Sequence, residues 1–270
     1  MAKIDLCIEP LFPGLNSSEK VIEIAKLNFQ AIEFWFWDHE FDGKNLIPTE
    51  KNINEIASIT SDFGIIVNDI VVNSADGSIG GSLTSKSDKN IYLSRLDKTI
   101  EVAKKLRCNK LITCSGNFQK NITDESQRDL IIDTLSEASK IAEREGITLL
   151  LEALNSTYDH PGYYLNSSLK GFEIIKQVNS PNLKLLYDVY HMQIMEGNII
   201  NTIMENLSMI GHFHSAGLPG RNELYLGEIN YYNILKMLDE KNYTGYFGME
   251  YWPTIDSKLS LNLIRDYLQI

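Results

Sequence analysis

The sequence has few cysteines and no long apolar run. Its three cysteines, Cys7, Cys108 and Cys114, are an odd number without a Cys-x-x-Cys pair, which argues against a disulfide framework or a thiolate zinc site. No apolar stretch approaches the roughly 20 residues that are needed to cross a bilayer, and no secretory signal is recognisable at the first residues. These absences predict a cytoplasmic protein without a membrane partner.

Positive charge is also scarce, because 25 Lys and Arg stand against 36 Asp and Glu, for a net charge of −11. A protein that neutralises the phosphates of a nucleic acid has the opposite balance. The glycines at Gly77, Gly80 and Gly81 are not followed by the Gly-Lys-Ser/Thr of a phosphate-binding loop. We therefore expect a small-molecule substrate and no nucleic-acid partner, whereas the sequence leaves homo-oligomer formation open.

Strand-like and helix-like segments alternate along the whole chain of 270 residues. The predicted strands are Lys3–Ile8, Ala31–Phe36, Ile65–Val72, Lys110–Cys114, Ile147–Glu152, Leu183–Asp188, Met209–His214 and Tyr246–Glu250. Eight such units favour a (β/α)8 TIM barrel, with one catalytic domain over residues 1–270. A doubly wound open sheet is the main competitor, but no Gly-x-Gly-x-x-Gly follows the first strand.

Helical periodicity fills the gaps between these strands. The predicted helices are Ser17–Phe29, Thr49–Phe63, Asp88–Arg107, Asp124–Glu145, Ser167–Val178, Ile199–Asn206, Tyr231–Lys241 and Lys258–Gln269. We expect Ser17 or Ser18 to cap the first of them, and Gly64 and Gly146 to end two others. The Gly- and Ser-rich stretch Asn73–Ser87 is predicted to be either an active-site loop or disordered.

Four of the predicted strands end on a side chain that can bind a metal ion, namely Glu152, Asp188, His214 and Glu250. A single acid at a strand end is often a helix cap or an ion-pair partner, but four strand ends of a barrel face one cavity and favour a shared site. Three carboxylates and one imidazole suit Mn²⁺, Mg²⁺ or Co²⁺, with Zn²⁺ also compatible. Such an ion would offset the repulsion between the acids.

Several motifs in the C-terminal half resemble the hydroxypyruvate isomerase family. They are Glu152-Ala153-Leu154-Asn155, Asp159-His160-Pro161-Gly162-Tyr163, Asp188-Val189-Tyr190-His191-Met192-Gln193, Gly211-His212-Phe213-His214, Pro219-Gly220-Arg221-Asn222-Glu223 and Gly248-Met249-Glu250-Tyr251. This family belongs to the xylose isomerase-like TIM barrels, which also include ketose 3-epimerases. The resemblance is thinner in the N-terminal half, where it rests on Ala31-Ile32-Glu33-Phe34.

The resemblance implies a role for each of these side chains. The metal ligands would be the four strand-end residues, Glu152, Asp188, His214 and Glu250. Glu152 and Glu250 would also be the catalytic acid/base pair, and His191 and Arg221 would bind substrate oxygens. His214 departs from the hydroxypyruvate isomerases, which have Gln there, and agrees with the ketose 3-epimerases. Glu9 and Asn117, near the ends of two strands, could also contact substrate, although a structural acid or amide is nearly as common at such positions.

The resemblance leaves several functions open. Two carboxylates on either side of an enediolate could move a proton between adjacent carbons, as an isomerase does, or between two faces of one carbon, as an epimerase does. A dehydratase could use the same enediolate to expel a β-hydroxyl, and a sugar-binding protein would need the metal but not both glutamates. A metal-dependent endonuclease would need more than the five histidines of this chain. We expect the isomerase.

Overall fold

The structure is a computed structural model that describes residues 3–270. Within them it has ten strands: β1 (Lys3–Cys7), β2 (Ala31–Phe34), β3 (Glu40–Phe41), β4 (Leu46–Ile47), β5 (Ile66–Val71), β6 (Lys110–Cys114), β7 (Thr148–Glu152), β8 (Leu183–Asp188), β9 (Ile210–Ser215) and β10 (Tyr246–Met249). Eight of these strands form a closed barrel in the order β1-β10-β9-β8-β7-β6-β5-β2, and β3 pairs with β4 separately. The predicted TIM barrel is therefore confirmed.

Helices connect consecutive barrel strands. In the same range they are α1 (Ser17–Lys26), α2 (Ile53–Phe63), α3 (Lys89–Lys105), α4 (Asp124–Glu145), α5 (Ser168–Val178), α6 (Val189–Met195), α7 (Ile199–Asn206), α8 (Tyr231–Glu240) and α9 (Ser257–Leu268). The glycines predicted to end α2 and α4, Gly64 and Gly146, have the left-handed backbone of a C-cap. No helix of residues 3–270 has the length and apolarity of a membrane span.

Four local predictions were wrong or incomplete. Asn16, not Ser17 or Ser18, caps α1, because its side chain and that of Glu19 form a reciprocal capping box. The second helix begins at Ile53 rather than Thr49, behind the side-chain cap of Asn52. The hairpin of β3 and β4 and the short helix α6 were not predicted, since both are too brief to give a periodic signal.

The Gly- and Ser-rich stretch Asn73–Ser87 is an ordered loop. The side-chain amide of Asn73 donates to the carbonyls of Gly81 and Cys114, both over 2.9 Å. The Thr84 hydroxyl donates to the carbonyl of Asn117 over 2.7 Å. These bonds attach the loop to the segment that follows β6, so the disorder alternative is excluded.

The chain divides into two compact units, a first unit of residues 3–68, 105–108 and 213–270 and a second unit of residues 69–104 and 109–212. In the second unit Ile112, Leu150 and Leu186 form an apolar cluster. Side chains alternate along a strand, so Glu152 and Asp188 lie on the same strand faces as Leu150 and Leu186, two residues further along. That the chain forms one catalytic domain stays a prediction.

Candidate active site

All four predicted metal ligands are buried. The exposed fractions are 6% for Glu152, 2% for Asp188, 3% for His214 and 8% for Glu250. Burial of an unpaired carboxylate is costly, so each of these acids needs compensating charge or hydrogen bonds. Glu152 and Asp188 belong to the second unit, and His214 and Glu250 belong to the first.

Asp188 ends strand β8 and also begins helix α6. Its Oδ1 accepts a hydrogen bond from the backbone N–H of His191 over 3.0 Å, which is the N-cap interaction of this helix. The His191 ring is fully buried, with Nε2 lying 3.6 Å from Asp188 Oδ2. The first turn of α6 therefore fixes both the carboxylate and the imidazole.

The loop after β7 holds the other side of the His191 ring. The Asn155 side-chain nitrogen lies 2.6 Å from His191 Nδ1 and 2.5 Å from Asp159 Oδ2. Asp159 also accepts a hydrogen bond from the Tyr190 hydroxyl over 3.0 Å. In the sequence, Asn155 stands out only as part of a motif, because a loop asparagine carries no periodic signal.

In the first unit the barrel strands β9 and β10 bring His214 and Glu250 together. The register pairs His214 with Gly248, and His214 Nδ1 lies 3.6 Å from Glu250 Oε2. Its Nε2 lies 3.1 Å from Glu33 Oε1. A Cβ on Gly248 would approach both Glu33 Oε2 and His214 Cδ2 to 2.9 Å. The absence of a side chain at Gly248 therefore lets the carboxylate and the imidazole approach each other.

Glu250 is held by two further side chains. The indole Nε1 of Trp35 donates to Oε1 over 2.7 Å, and the guanidinium of Arg221 donates to Oε2. Burial by itself would raise the pKa of Glu250, but the Arg221 charge and hydrogen bonds from His214 and Trp35 outweigh it and hold the pKa well below the usual range. These partners therefore favour the ionised form of Glu250, which directly follows β10.

His212 lies deeper in β9, two residues before His214. Its side chain is fully buried and its Nε2 lies 3.4 Å from Asp69 Oδ2, at the carboxyl-terminal half of β5. The alternation of a strand places His212 and His214 on the same face. His212 therefore occupies a fully buried position on that face of the strand.

Three predicted substrate residues have protein partners. Glu9 is 3% exposed, and its Oε1 lies 3.2 Å from the Nζ of the buried Lys51. Asn117 forms an isolated β-bridge with Tyr163 and is partly buried. Arg221 contacts Glu250, as described above. Substrate roles for these residues and for His191 stay predictions, and Lys51 was not identified from the sequence because its partner is distant along the chain.

Buried carboxylates and imidazoles of this kind could hold a metal ion. Oxygen-rich donor sets with one nitrogen are typical of sites for Mg²⁺, Mn²⁺ and similar ions. Together with the closed barrel, such side chains at strand ends define the class: a TIM-barrel enzyme with its polar groups at the carboxyl ends of the strands.

A family model described as Xylose isomerase-like TIM barrel matches residues 21–267, and the chain belongs to that family. A hydroxypyruvate isomerase from Escherichia coli (strain K12) is 34% identical over 160 residues, which are 59% of this chain and 62% of the relative. A 2-oxo-tetronate isomerase from Pectobacterium atrosepticum is 29% identical over 273 residues, covering 100% of this chain and 99% of the relative. The resemblance found in the motifs is confirmed, and the protein is an enzyme of the isomerase class.

Solved structures share the fold at lower identity. An AP endonuclease of family 2 from Brucella melitensis has a TM-score of 0.88 and 24% identity, covering 99% of both chains. An L-ribulose 3-epimerase has a TM-score of 0.76 and 23% identity, covering 100% of this chain and 87% of the other. At these identities the likeness establishes the barrel alone.

Proposed function

We propose that this protein is a metal-dependent isomerase of a small hydroxy-carbonyl compound, similar in activity to hydroxypyruvate isomerase, with Glu152 and Glu250 as its acid/base pair. The observation that carries the proposal is one group of four buried side chains. These are Glu152, Asp188, His214 and Glu250, a set of acids and one imidazole of the kind that could hold a metal ion. The names of the bacterial relatives support a substrate of the sugar or keto-acid type.

The donor set fits a single divalent ion. Three carboxylates of one buried group repel one another, and a doubly charged cation offsets most of that repulsion. When bound, such an ion supplies positive charge that polarises a carbonyl group. Mn²⁺, Mg²⁺ and Co²⁺ match the oxygen-rich set best, and Zn²⁺ also matches it.

The protein side chains would do the remaining work. One glutamate of the pair would remove the proton from the carbon next to the carbonyl, and the other would return a proton to the neighbouring carbon. The proton of the substrate hydroxyl would pass to the former carbonyl oxygen, so that the two oxygens exchange roles. Arg221 and Trp35 hold both oxygens of Glu250, so its position is fixed before substrate binds. His191 would bind a substrate oxygen, and Glu9 and Asn117 are proposed as further substrate contacts.

A ketose 3-epimerase is the second candidate, and His214 favours it. The resemblance to hydroxypyruvate isomerases implies glutamine at this position, whereas ketose 3-epimerases have histidine. Return of the proton to the opposite face of the same carbon would need no other residues. The net charge of −11 disfavours a third activity, on duplex DNA, because the substrate would be repelled.

Solvent-deuterium incorporation tests the proposal. Hydroxypyruvate, ketopentoses and ketohexoses are incubated in D₂O with Mn²⁺ or Mg²⁺, which is then chelated, and the label is located by NMR after the ion is removed. We expect metal-dependent exchange beside the carbonyl, lost in Glu152→Gln and Glu250→Gln variants that still bind metal. Glu223→Gln is the matched control, because Glu223 is also buried and accepts hydrogen bonds from the hydroxyls of Thr254 and Ser260.

Each outcome separates the candidates. Fastest exchange with hydroxypyruvate supports the isomerase, and fastest exchange at C3 of a ketose supports the epimerase. Loss of a β-hydroxyl would establish the dehydratase. Tight metal binding without exchange in any compound would reject catalysis and leave the sugar-binding alternative.

We also propose that the protein is cytoplasmic. The three cysteines, Cys7, Cys108 and Cys114, are free and buried, as expected in a reducing compartment. Fractionation of cells that produce the protein would test this location, and recovery outside the cytoplasm would contradict it.

A further inference from the structure

We infer that Asn155 is a positioning residue that fixes the tautomer of His191, so that the ring presents an Nε2–H donor on its Asp188 side. The geometry stands by itself, whereas the purpose of this donor rests on the proposed function. Asn155 acts through the imidazole, which its side chain contacts.

The turn that follows Asn155 fixes the orientation of its side-chain amide. Its Oδ1 accepts hydrogen bonds from the backbone N–H groups of Tyr158, over 2.9 Å, and Asp159, over 3.1 Å. A backbone N–H can only donate, so the oxygen of the amide must face the turn. The flipped amide would place an NH₂ group against two N–H donors.

The nitrogen of the amide faces Asp159 and His191. Nδ2 lies 2.5 Å from Asp159 Oδ2 and 2.6 Å from His191 Nδ1. An amide nitrogen has two hydrogens and accepts none, so one hydrogen points to the carboxylate and one to the imidazole. His191 Nδ1 must therefore be the acceptor.

The proton of the His191 ring is on the remaining nitrogen, Nε2. A neutral imidazole has one protonated and one unprotonated nitrogen, so acceptance at Nδ1 places the proton on Nε2. Nε2 lies 3.6 Å from Asp188 Oδ2. The rings of Tyr190 and His160, at centroid distances of 5.1 Å and 5.5 Å, pack against the imidazole and restrict its rotation.

This tautomer specifies what His191 can bind. An Nε2–H group donates to a carbonyl or alkoxide oxygen, on which negative charge develops when a neighbouring carbon loses its proton. The opposite tautomer would present a lone pair there and would bind a hydroxyl instead. Asn155 thus selects a substrate oxygen that accepts a hydrogen bond, and the carbonyl oxygen of a ketone or keto acid, which can only accept, meets this requirement.

Long-range ¹H–¹⁵N NMR correlation of the Mg²⁺-loaded protein reads the tautomer directly. The chain has five histidines, and loss of one spin system in His191→Gln assigns the ring. We expect protonated Nε2 and unprotonated Nδ1 in the wild-type protein. A wild-type ring with the proton on Nδ1 would overturn the inference without any variant having to fold.

Asn155→Asp then tests the cause. It places an acceptor opposite Nδ1, so we expect Nδ1 to become protonated. Asn166→Asp is the matched control, since Asn166 follows in the same connection and its amide bonds Ser156 Oγ over 2.9 Å. The control should keep the wild-type tautomer, and an unchanged tautomer in Asn155→Asp would reject the positioning role.

The activity of the same variants separates this inference from the proposed function. Loss of one hydrogen bond to a charged oxygen corresponds to roughly ten- to hundredfold in kcat/KM, and we expect a loss of this size in Asn155→Asp but not in Asn166→Asp. If the tautomer is as described but no compound exchanges deuterium, the proposed function fails and the positioning stands. If exchange occurs with the opposite tautomer, the positioning fails and the function stands.

Discussion

Replacing Trp35 by phenylalanine would remove one hydrogen bond from Glu250 and keep an aromatic ring. The indole donates to Glu250 Oε1 over 2.7 Å, and the carboxylate is 8% exposed. A hydrogen bond to a charged group contributes about 1.5 to 3 kcal/mol. Since Arg221 still holds Oε2, the lower value applies, and about 1.5 kcal/mol corresponds to roughly tenfold in rate.

The effect should fall on kcat rather than on KM. The hydrogen bond orients the glutamate and not the substrate, so Trp35→Phe should lower kcat for deuterium exchange roughly tenfold and leave KM within about twofold. Weaker Mn²⁺ binding, measured by calorimetry on the metal-free protein, should accompany the loss.

Trp252→Phe is the matched control for this change. Its ring lies in the same aromatic cluster, 6.2 Å from that of Trp35, and its hydrogen bonds with Arg221 and Asn222 are made by the backbone. We expect its kcat to stay within about twofold of wild type. Equal losses in the two variants would show that ring volume matters rather than the indole donor, and a wild-type rate in Trp35→Phe would refute the reasoning.

Three further predictions concern stability. Lys51→Met should lower the free energy of unfolding by about 3 to 5 kcal/mol in urea titrations, because Glu9 would keep a buried charge without its partner. Adding Glu9→Gln to this variant should restore part of the lost stability. Additive losses from the two substitutions would contradict the pairing. Gly248→Ala should lower the free energy of unfolding by about 1 to 3 kcal/mol through overpacking against Glu33, and it should weaken Mn²⁺ binding. A variant with wild-type stability and wild-type affinity for Mn²⁺ would disprove the close approach of Glu33 and His214 at Gly248. The pKa of Glu250 is lower in the folded than in the unfolded protein. Its ionisation therefore stabilises the metal-free fold above the unfolded-state pKa of about 4.3. This stabilisation is lost as the pH falls through the folded-state pKa. Wild-type stability should therefore fall more steeply than that of Glu250→Gln on acidification below that value, and parallel curves would exclude the effect.

The barrel and the ends of its strands could be predicted from the sequence. The predicted bounds of Leu183–Asp188 agree with those of β8, because a largely apolar run ends on an acid. In a parallel sheet such a run is a buried strand, and the acid then lies at its carboxyl end. The same pattern identified Glu152, which ends β7. These features depend on residues close together in the chain.

The partners of the site residues could not be predicted in this way. Trp35 and Glu250 are 215 residues apart, and no periodicity links them. Trp35 stands in the aromatic run Trp35-Phe36-Trp37, and nothing in that run indicates that its indole nitrogen bonds a carboxylate. Asn155 differs from a surface asparagine only by the turn that binds its oxygen and the ring that meets its nitrogen. Such pairings exist only once the fold has formed.

The double use of Asp188, as the last residue of β8 and the cap of α6, limits how this barrel can diversify. The strand passes into the helix without an intervening loop, so an insertion there would separate the carboxylate from the backbone N–H that it binds. Other connections are longer, such as those after β1 and β6, and loops tolerate insertions well. Variation in substrate size among related barrels should therefore arise by lengthening those connections, while the junction at Asp188 keeps its length.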